Sequence, residues 1–210
     1  MPDVHSLAGF ALVALVMVMT PGPNMAYLVS RTLTQGRLAG FLSLAGVGAG
    51  FLVYLLAAAF GLTGLLLAVP HAYDAIRLAG AAYLGYLAYQ ALKPGGHSAF
   101  EVRDLPARSR WRLVGMGFLT NLLNPKIAVM YLSLLPQFID PVRGALLGQS
   151  LALGLTQITI AMTGNALIVL AAARVAAFLT HRPIWARVQR WVMGTVLAGL
   201  AVRLLAQSRA

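Results

Sequence analysis

Apolar residues in this chain run in long blocks, broken by short polar connectors. A bilayer core requires about 20 mostly apolar residues per helix. Six windows approach that length: 7–30, 40–67, 75–92, 113–135, 146–173 and 184–205. The sixth is the weakest, because Arg187, Gln189 and Arg190 intrude near its start and leave a clean stretch only from Trp191 to Val202. A five-span reading therefore stays open beside the six-span one. Trp185 and Trp191 are suited to anchor that window at the interface. The first window is longer than a signal peptide and has no Lys or Arg before it, so it reads as a retained span.

Composition sharpens this into a membrane assignment. Of the 210 residues, 60% are hydrophobic and 10% charged, against about 45–50% and about 25% in soluble domains. The solvent for so much apolar surface is lipid. The formal charge of +11 would suit nucleic acid if the cations formed one patch, but they lie in the connectors. Eleven Lys and Arg fall in the first, third and fifth connectors, and four (Arg77, Arg143, Arg203, Arg209) on the other side. The positive-inside rule then expects those three connectors in the cytoplasm and both termini in the periplasm. Nucleic acid is not an expected partner.

The connector 93–112, with Pro94, Gly95, Gly96 and Pro106, divides the single transmembrane domain 1–210 into two repeats, about 1–92 and 113–210. Three spans per half make the second half enter the membrane in the opposite sense, the geometry of an inverted repeat. The expected fold class is an all-α integral membrane protein of six transmembrane helices, arranged as two inverted three-helix repeats with a broken first helix in each half.

The breaks are where chemistry concentrates. Pro21, Gly22 and Pro23, followed by Asn24, interrupt the first window; Asn121, Asn124, Pro125 and Lys126 interrupt the fourth. Proline lacks an N–H and clashes with the preceding turn. The backbone groups it frees cannot face lipid, so they line protein or a wet cavity. A half-helix beginning near Asn24 would aim N–H groups into that cavity, a seat for a carboxylate. The competing reading is a kink that only shapes packing.

Lys126 reads as the only ionised side chain well inside a span, and no acidic partner is apparent. A substrate carboxylate, backbone carbonyls or the amides of Asn121 and Asn124 are its expected company; a Lys that snorkels to the interface is the alternative. Thr156, Thr159 and Thr163 share one helical face, with Gln157 and Asn165 elsewhere around that helix, and read either as a pathway lining or as interhelical glue. Gly36/Gly40 and Gly46/Gly50 have small-xxx-small spacing, which suits close helix packing and permits a homodimer.

Several classes are disfavoured. With no cysteine, thiolate chemistry is excluded, and the four histidines lie at span ends or in connectors. Neither a catalytic acid–base set nor a metal-ligand set is recognisable, so neither an enzyme nor a metal or other cofactor is expected.

The run Met19-Thr20-Pro21-Gly22-Pro23-Asn24, with Arg31, Gly36 and Gly40 after it, resembles the opening signature of the LysE/RhtB family of amino-acid exporters. The run from Gly117 through Asn121, Asn124, Pro125 and Lys126, continued by Leu135-Pro136-Gln137-Phe138, resembles that family's second signature. The resemblance implies export of amino acids from the cytoplasm across the bacterial inner membrane, driven by the proton gradient. It carries over to Pro21, Gly22, Pro23, Asn24, Asn124, Pro125 and Lys126. Because no span interior holds Asp or Glu to match a cationic side chain, the RhtB-like branch is favoured. The expected substrates are neutral amino acids or derivatives of the threonine, homoserine or branched-chain type, with Asn24, Asn121, Asn124, Lys126 and Thr156 binding them. Basic amino acids are the alternative substrate, and a non-transporting membrane scaffold or accessory subunit is the alternative function.

Overall fold

A computed structural model describes residues 2–20, 22–62, 72–93, 107–181 and 183–206. Among them, all regular structure is helical. Helix α1 (Val4–Met19) starts on Asp3, whose carboxylate accepts from the Ser6 amide at 2.9 Å and from the Ser6 hydroxyl. Both contacts favour the ionised form and hold the Asp3 carboxyl below its usual range. After α1 the chain turns extended at Thr20 and Gly22. Helix α2 (Pro23–Gln35) begins with proline at its first position, where the missing N–H has no intrahelical partner to lose. It ends on Gly36, whose φ of +85° suits glycine. Helix α3 (Arg37–Leu56) follows at once and loosens into a π-helical segment, Ala57–Leu62.

Helix α4 spans Ala72–Leu92. Helix α5 (Arg110–Leu122) then breaks, and the short helix α6 (Pro125–Val129) restarts from Pro125, with Asn124 as its N-cap. Beyond α6 the chain passes through a π-helical segment (Met130–Leu134) and a 3₁₀ turn (Leu135–Phe138). Two long helices complete the described chain: α7 (Leu146–His181) and α8 (Pro183–Ala206). The α1/α2 pair and the pair from α5 to Phe138 each bend by 50° at their breaks.

The helices follow the order of the six apolar windows. Among the described residues, two helical stretches are long and apolar enough to cross a membrane, 37–61 and 146–174, or up to four spans if each bent pair counts as one. The outward side chains are apolar as well as the inward ones, among them Leu12, Leu52, Phe60, Leu155 and Leu167, as lipid rather than water requires. The described residues thus form an all-helical protein with membrane-compatible surfaces. Most of the connector 93–112 lies outside them.

Helix α3 makes its most extensive contact with α5, and α4 with α8; α1 packs on α7, and α7 also meets α2 and α3. Small residues permit the α3–α5 approach. A Cβ on Gly46 would run into the Val114 carbonyl, and one on Gly117 into the Ser43 carbonyl, so backbone lies against backbone. The spacing of Gly46 and Gly50 therefore marks a packing face. Gly36 and Gly40 differ: Gly36 is the turn between α2 and α3, while Gly40 abuts Thr32 and Val169.

One expectation needs correction. Arg31, assigned to a connector, lies inside α2 and is only 1% exposed, so Lys126 is not the only buried cation. Helix α2 continues past the expected end of the window because nothing between Asn24 and Gln35 stops it. Arg31 spends its charge on protein: Nη1 donates to Gln35 Oε1 at 3.0 Å, Nη2 reaches the Met116 sulfur, and the guanidinium lies 5.7 Å from the Tyr27 ring centre.

Candidate functional site

The two breaks meet through Lys126. Its side chain crosses from α6 to the end of α1, where Nζ donates to the carbonyl oxygens of Met17 at 2.8 Å and Thr20 at 2.7 Å. The last carbonyls of a helix have no intrahelical donors and carry the negative end of its dipole. The ammonium thus satisfies groups that the Pro21–Pro23 interruption leaves bare. Lys126 is 6% exposed and has no ion pair among the described residues. The snorkelling alternative is not what the geometry shows.

Gly22 makes room for this contact. A Cβ there would lie 3.1 Å from Lys126 Nζ and 3.3 Å from Cε. Its backbone is extended, with φ −169°, so glycine serves the close approach rather than the turn. Asn124 fixes the base of the lysine: its Oδ1 accepts from the Lys126 amide at 3.1 Å, which orients α6 so that its second residue faces α1.

Between the broken helices lies a cavity of about 20 Å³, bounded by Met17, Val18, Asn24, Met25, Phe51, Lys126, Ile127, Met130, Gln157 and Asn165. A space of this size holds about one or two water molecules, far less than an amino acid needs. Asn24 is 6% exposed and its Oδ1 has no hydrogen-bond partner. Across the cavity, Gln157 Oε1 accepts from the Tyr131 hydroxyl at 2.7 Å, and Asn165 Nδ2 donates to the Ala161 carbonyl at 2.8 Å.

The structure thus brings together Asn24, Lys126 and, beside them, Gly22. Pro23 and Pro125 open the two restarted helices; Pro21 lies outside the described residues. Asn124 is buried as a cap with Nδ2 unpartnered, and Asn121, fully buried, has neither amide atom paired. Asn121 is pressed against α3, 2.8 Å from where a Gly50 Cβ would sit. Neither Asn121 nor Asn124 borders the cavity. Thr156 does not border it either: its hydroxyl bonds back to the Ala152 carbonyl at 2.8 Å, and Thr159 bonds to Leu155 in the same way.

Gln157 and Asn165 face the cavity instead. Their eight-residue spacing, with Ala161 between, places them on one face. The legible signal was chemical. A threonine hydroxyl can satisfy itself on its own helix and so tolerate the outer surface, whereas a carboxamide carries too many donors and acceptors for that. Around the cavity the polar groups are amides, carbonyls and one ammonium, and among the described residues no three His, Cys, Asp or Glu side chains cluster as metal ligands would.

The model of the family described as LysE type translocator matches residues 15–208. A homoserine/homoserine lactone efflux protein of Salmonella typhi is 32% identical over 174 residues, covering 81% of this chain and 82% of the relative. An uncharacterized membrane protein of Vibrio cholerae serotype O1 is 30% identical over 158 residues, 75% of this chain and 76% of the relative. The uncharacterized membrane protein YrhP of Bacillus subtilis is 29% identical over 147 residues, 65% and 69% of the two chains. No solved structure matches.

Proposed function

Because this chain belongs to the LysE type translocator family, and is a multi-pass membrane transporter rather than an enzyme, we propose that it exports neutral amino acids or close derivatives. Export runs from the cytoplasm across the bacterial inner membrane and is driven by the proton gradient. The observation that carries this reading is the buried Lys126 ammonium beside the unpartnered Asn24 amide oxygen, in one cavity between two broken helices. A carboxylate entering the cavity meets Lys126, and an ammonium meets carbonyl oxygens freed at the breaks.

The polarity of the lining favours a neutral substrate. Among the described residues no Asp or Glu borders the cavity, so a second positive charge on a basic amino acid would be buried there without a counter-charge. The Salmonella relative is named for homoserine and its lactone. Both compounds carry one amino group and an acyl oxygen, and neither has a charged side chain.

In this proposal the chain crosses the membrane six times as two inverted repeats, with both termini periplasmic and the connector 93–112 cytoplasmic. The packing supports the repeat: the first unit of each half lies on the second unit of the other, α1 on α7 and α5 on α3, while the third units, α4 and α8, pair together. A twofold axis in the membrane plane produces such a pattern. Asn124 caps the helix that restarts after the second break, and Asn121, buried beside it with both amide atoms unpartnered, keeps donors and acceptors to offer a substrate. Thr156 stands one position from Gln157 and is the residue of the proposed set with least support from geometry.

Counterflow in proteoliposomes tests the function. Labelled amino acids from a broad panel are offered to vesicles preloaded with the unlabelled compound, with and without an imposed pH gradient. Accumulation of neutral amino acids, raised by the gradient, is the expected result. No accumulation of any amino acid would overturn the reading.

A further inference from the structure

Among the described residues, the Lys126 ammonium has backbone carbonyls alone as its hydrogen-bond partners. Two carbonyl oxygens, of Met17 and Thr20, converge on Nζ at 2.8 and 2.7 Å. Nζ is a primary ammonium with three N–H donors, the same group that an α-amino acid presents. A third acceptor lies in the same cavity: the unpartnered Oδ1 of Asn24, on a side chain 6% exposed. A buried acceptor without a donor costs free energy until something donates to it. Two carbonyls already hold one ammonium, and the amide oxygen, which Nζ does not reach, is a further acceptor in the same cavity for an ammonium that is free to move.

We propose that the Met17 and Thr20 carbonyls, with Asn24 Oδ1, form the receptor for the substrate's α-ammonium, and that Lys126 is a tethered stand-in which the substrate displaces. This rests on the reading of the cavity as the transport site. The exchange keeps charges matched. As the α-ammonium takes the helix-end carbonyls, Lys126 turns to the substrate's acyl oxygen, so no bare ammonium and no bare carbonyl is left in a low-dielectric site. A compound with an amino group but no acyl oxygen gives Lys126 nowhere to go. A compound with an acyl group but no ammonium leaves the carbonyls competing for the same lysine. Selectivity for the amino-acid head group thus arises from one side chain guarding one acceptor set.

The arrangement explains why the cavity is small in this conformation. With Lys126 on the carbonyls, the site is filled by its own side chain, and only about 20 Å³ remains. Gly22, beside Nζ and Cε, leaves open the side from which the lysine swings.

Binding to the purified full chain tests the exchange, read as ligand-induced shifts in thermal midpoint across a concentration series. The probes are L-threonine, L-homoserine and L-leucine, each with its amino alcohol, which keeps the ammonium and lacks the acyl oxygen, and its 2-hydroxy acid, which lacks the ammonium. The wild-type protein is expected to bind the amino acids at least about tenfold more tightly than either analogue. In Lys126→Met and Lys126→Gln, the amino alcohols should bind about tenfold more tightly than to wild type, and the advantage of the amino acid over its alcohol should fall to about one. The hydroxy acids should bind neither variant. Amino alcohols that bind the variants no better than wild type would overturn the exchange. So would hydroxy acids that match the amino acids on wild type, a result that requires no variant to fold. If no amino acid on the panel shifts the wild-type protein, the transport-site reading itself fails and takes the exchange with it.

Discussion

The Nζ atom of Lys126 lies 2.8 Å from the carbonyl oxygen of Met17, a residue 109 positions earlier in the chain. That single contact joins the second break to the first. Everything around it is arranged to permit it: Gly22 has no side chain to obstruct it, Asn124 sets the start of the helix that carries it, and Pro125 begins that helix without wasting a donor.

Removal of the ammonium should therefore stop transport before it stops folding. In Lys126→Ala the Met17 and Thr20 carbonyls lose their donor, but a vacated polar cavity admits water to satisfy them. Efflux from preloaded cells should fall to the background of cells lacking the protein, with membrane abundance within about twofold of wild type, since each carbonyl keeps a hydrogen bond worth about 1 kcal/mol net. Asn24→Ala should behave likewise. Quantitative immunoblotting beside the efflux assay checks both; normal efflux in either variant removes that residue from the site.

Gly22→Ala probes the same contact from outside. A methyl group 3.1 Å from Nζ is tighter than ordinary packing, but its neighbour is the flexible end of a side chain, and the extended backbone accepts alanine. Export should fall by about tenfold, equivalent to about 1.4 kcal/mol, with abundance unchanged. Full activity would mean that the lysine has slack on that side.

Much of this was written in the sequence. Six apolar windows and two proline-marked breaks follow from residue type alone, because a bilayer tolerates so few alternatives. The depth of Lys126 was readable for the same reason. Its partner was not: backbone carbonyls are identical at every residue, so nothing in the sequence singles out Met17 and Thr20. Arg31 falls in a connector by the apolar pattern, because the first window ends at Ser30, whereas the helix continues to Gln35. The threonines of α7 read equally as pathway lining or interhelical glue; the hydroxyls of Thr156 and Thr159 bond to their own helix, while the carboxamides of Gln157 and Asn165 border the cavity, a difference that residue type alone does not settle.

The α3–α5 contact supplies an internal control. A methyl group on Gly117 would meet the Ser43 carbonyl, which cannot rotate away, whereas one on Gly115 meets nothing within 4 Å. Gly117→Ala must push the two helices apart at a cost of about 1–3 kcal/mol. Its thermal midpoint and membrane abundance should drop, while Gly115→Ala should match wild type or gain slightly from alanine's helix propensity. Equal behaviour of the two variants would contradict the close packing of these helices.

A chain without cysteine allows topology to be read directly with single introduced thiols. Ser98→Cys in the connector should be shielded from a membrane-impermeant maleimide in intact cells and labelled once the cells are opened, because the proposed topology puts the Lys- and Arg-rich connectors in the cytoplasm. Ser6→Cys should react from outside. Labelling of both positions from the same side would refute the six-span arrangement with periplasmic termini.

The bond between Tyr131 and Gln157 bears on the far wall of the cavity. At 2.7 Å, between two side chains that are 0% and 3% exposed, it leaves neither partner an easy substitute. Tyr131→Phe keeps the ring, including its stacking on Tyr54 at 5.6 Å, but strands the Gln157 oxygen, at a cost of about 1–3 kcal/mol. Gln157→Leu strands the Tyr131 hydroxyl in the same way. In the double variant both polar groups are gone, and replacing a buried pair by apolar groups of similar shape costs little. The double variant should therefore be no less stable than the worse single one, a coupling of about 1 kcal/mol or more in a double-mutant cycle on thermal midpoints. Because Gln157 borders the cavity and Tyr131 only orients it, export should be lost with Gln157→Leu and in the double variant alike, but only reduced with Tyr131→Phe. Strictly additive losses of stability would show that the two groups do not depend on each other, and the wall would then need another support.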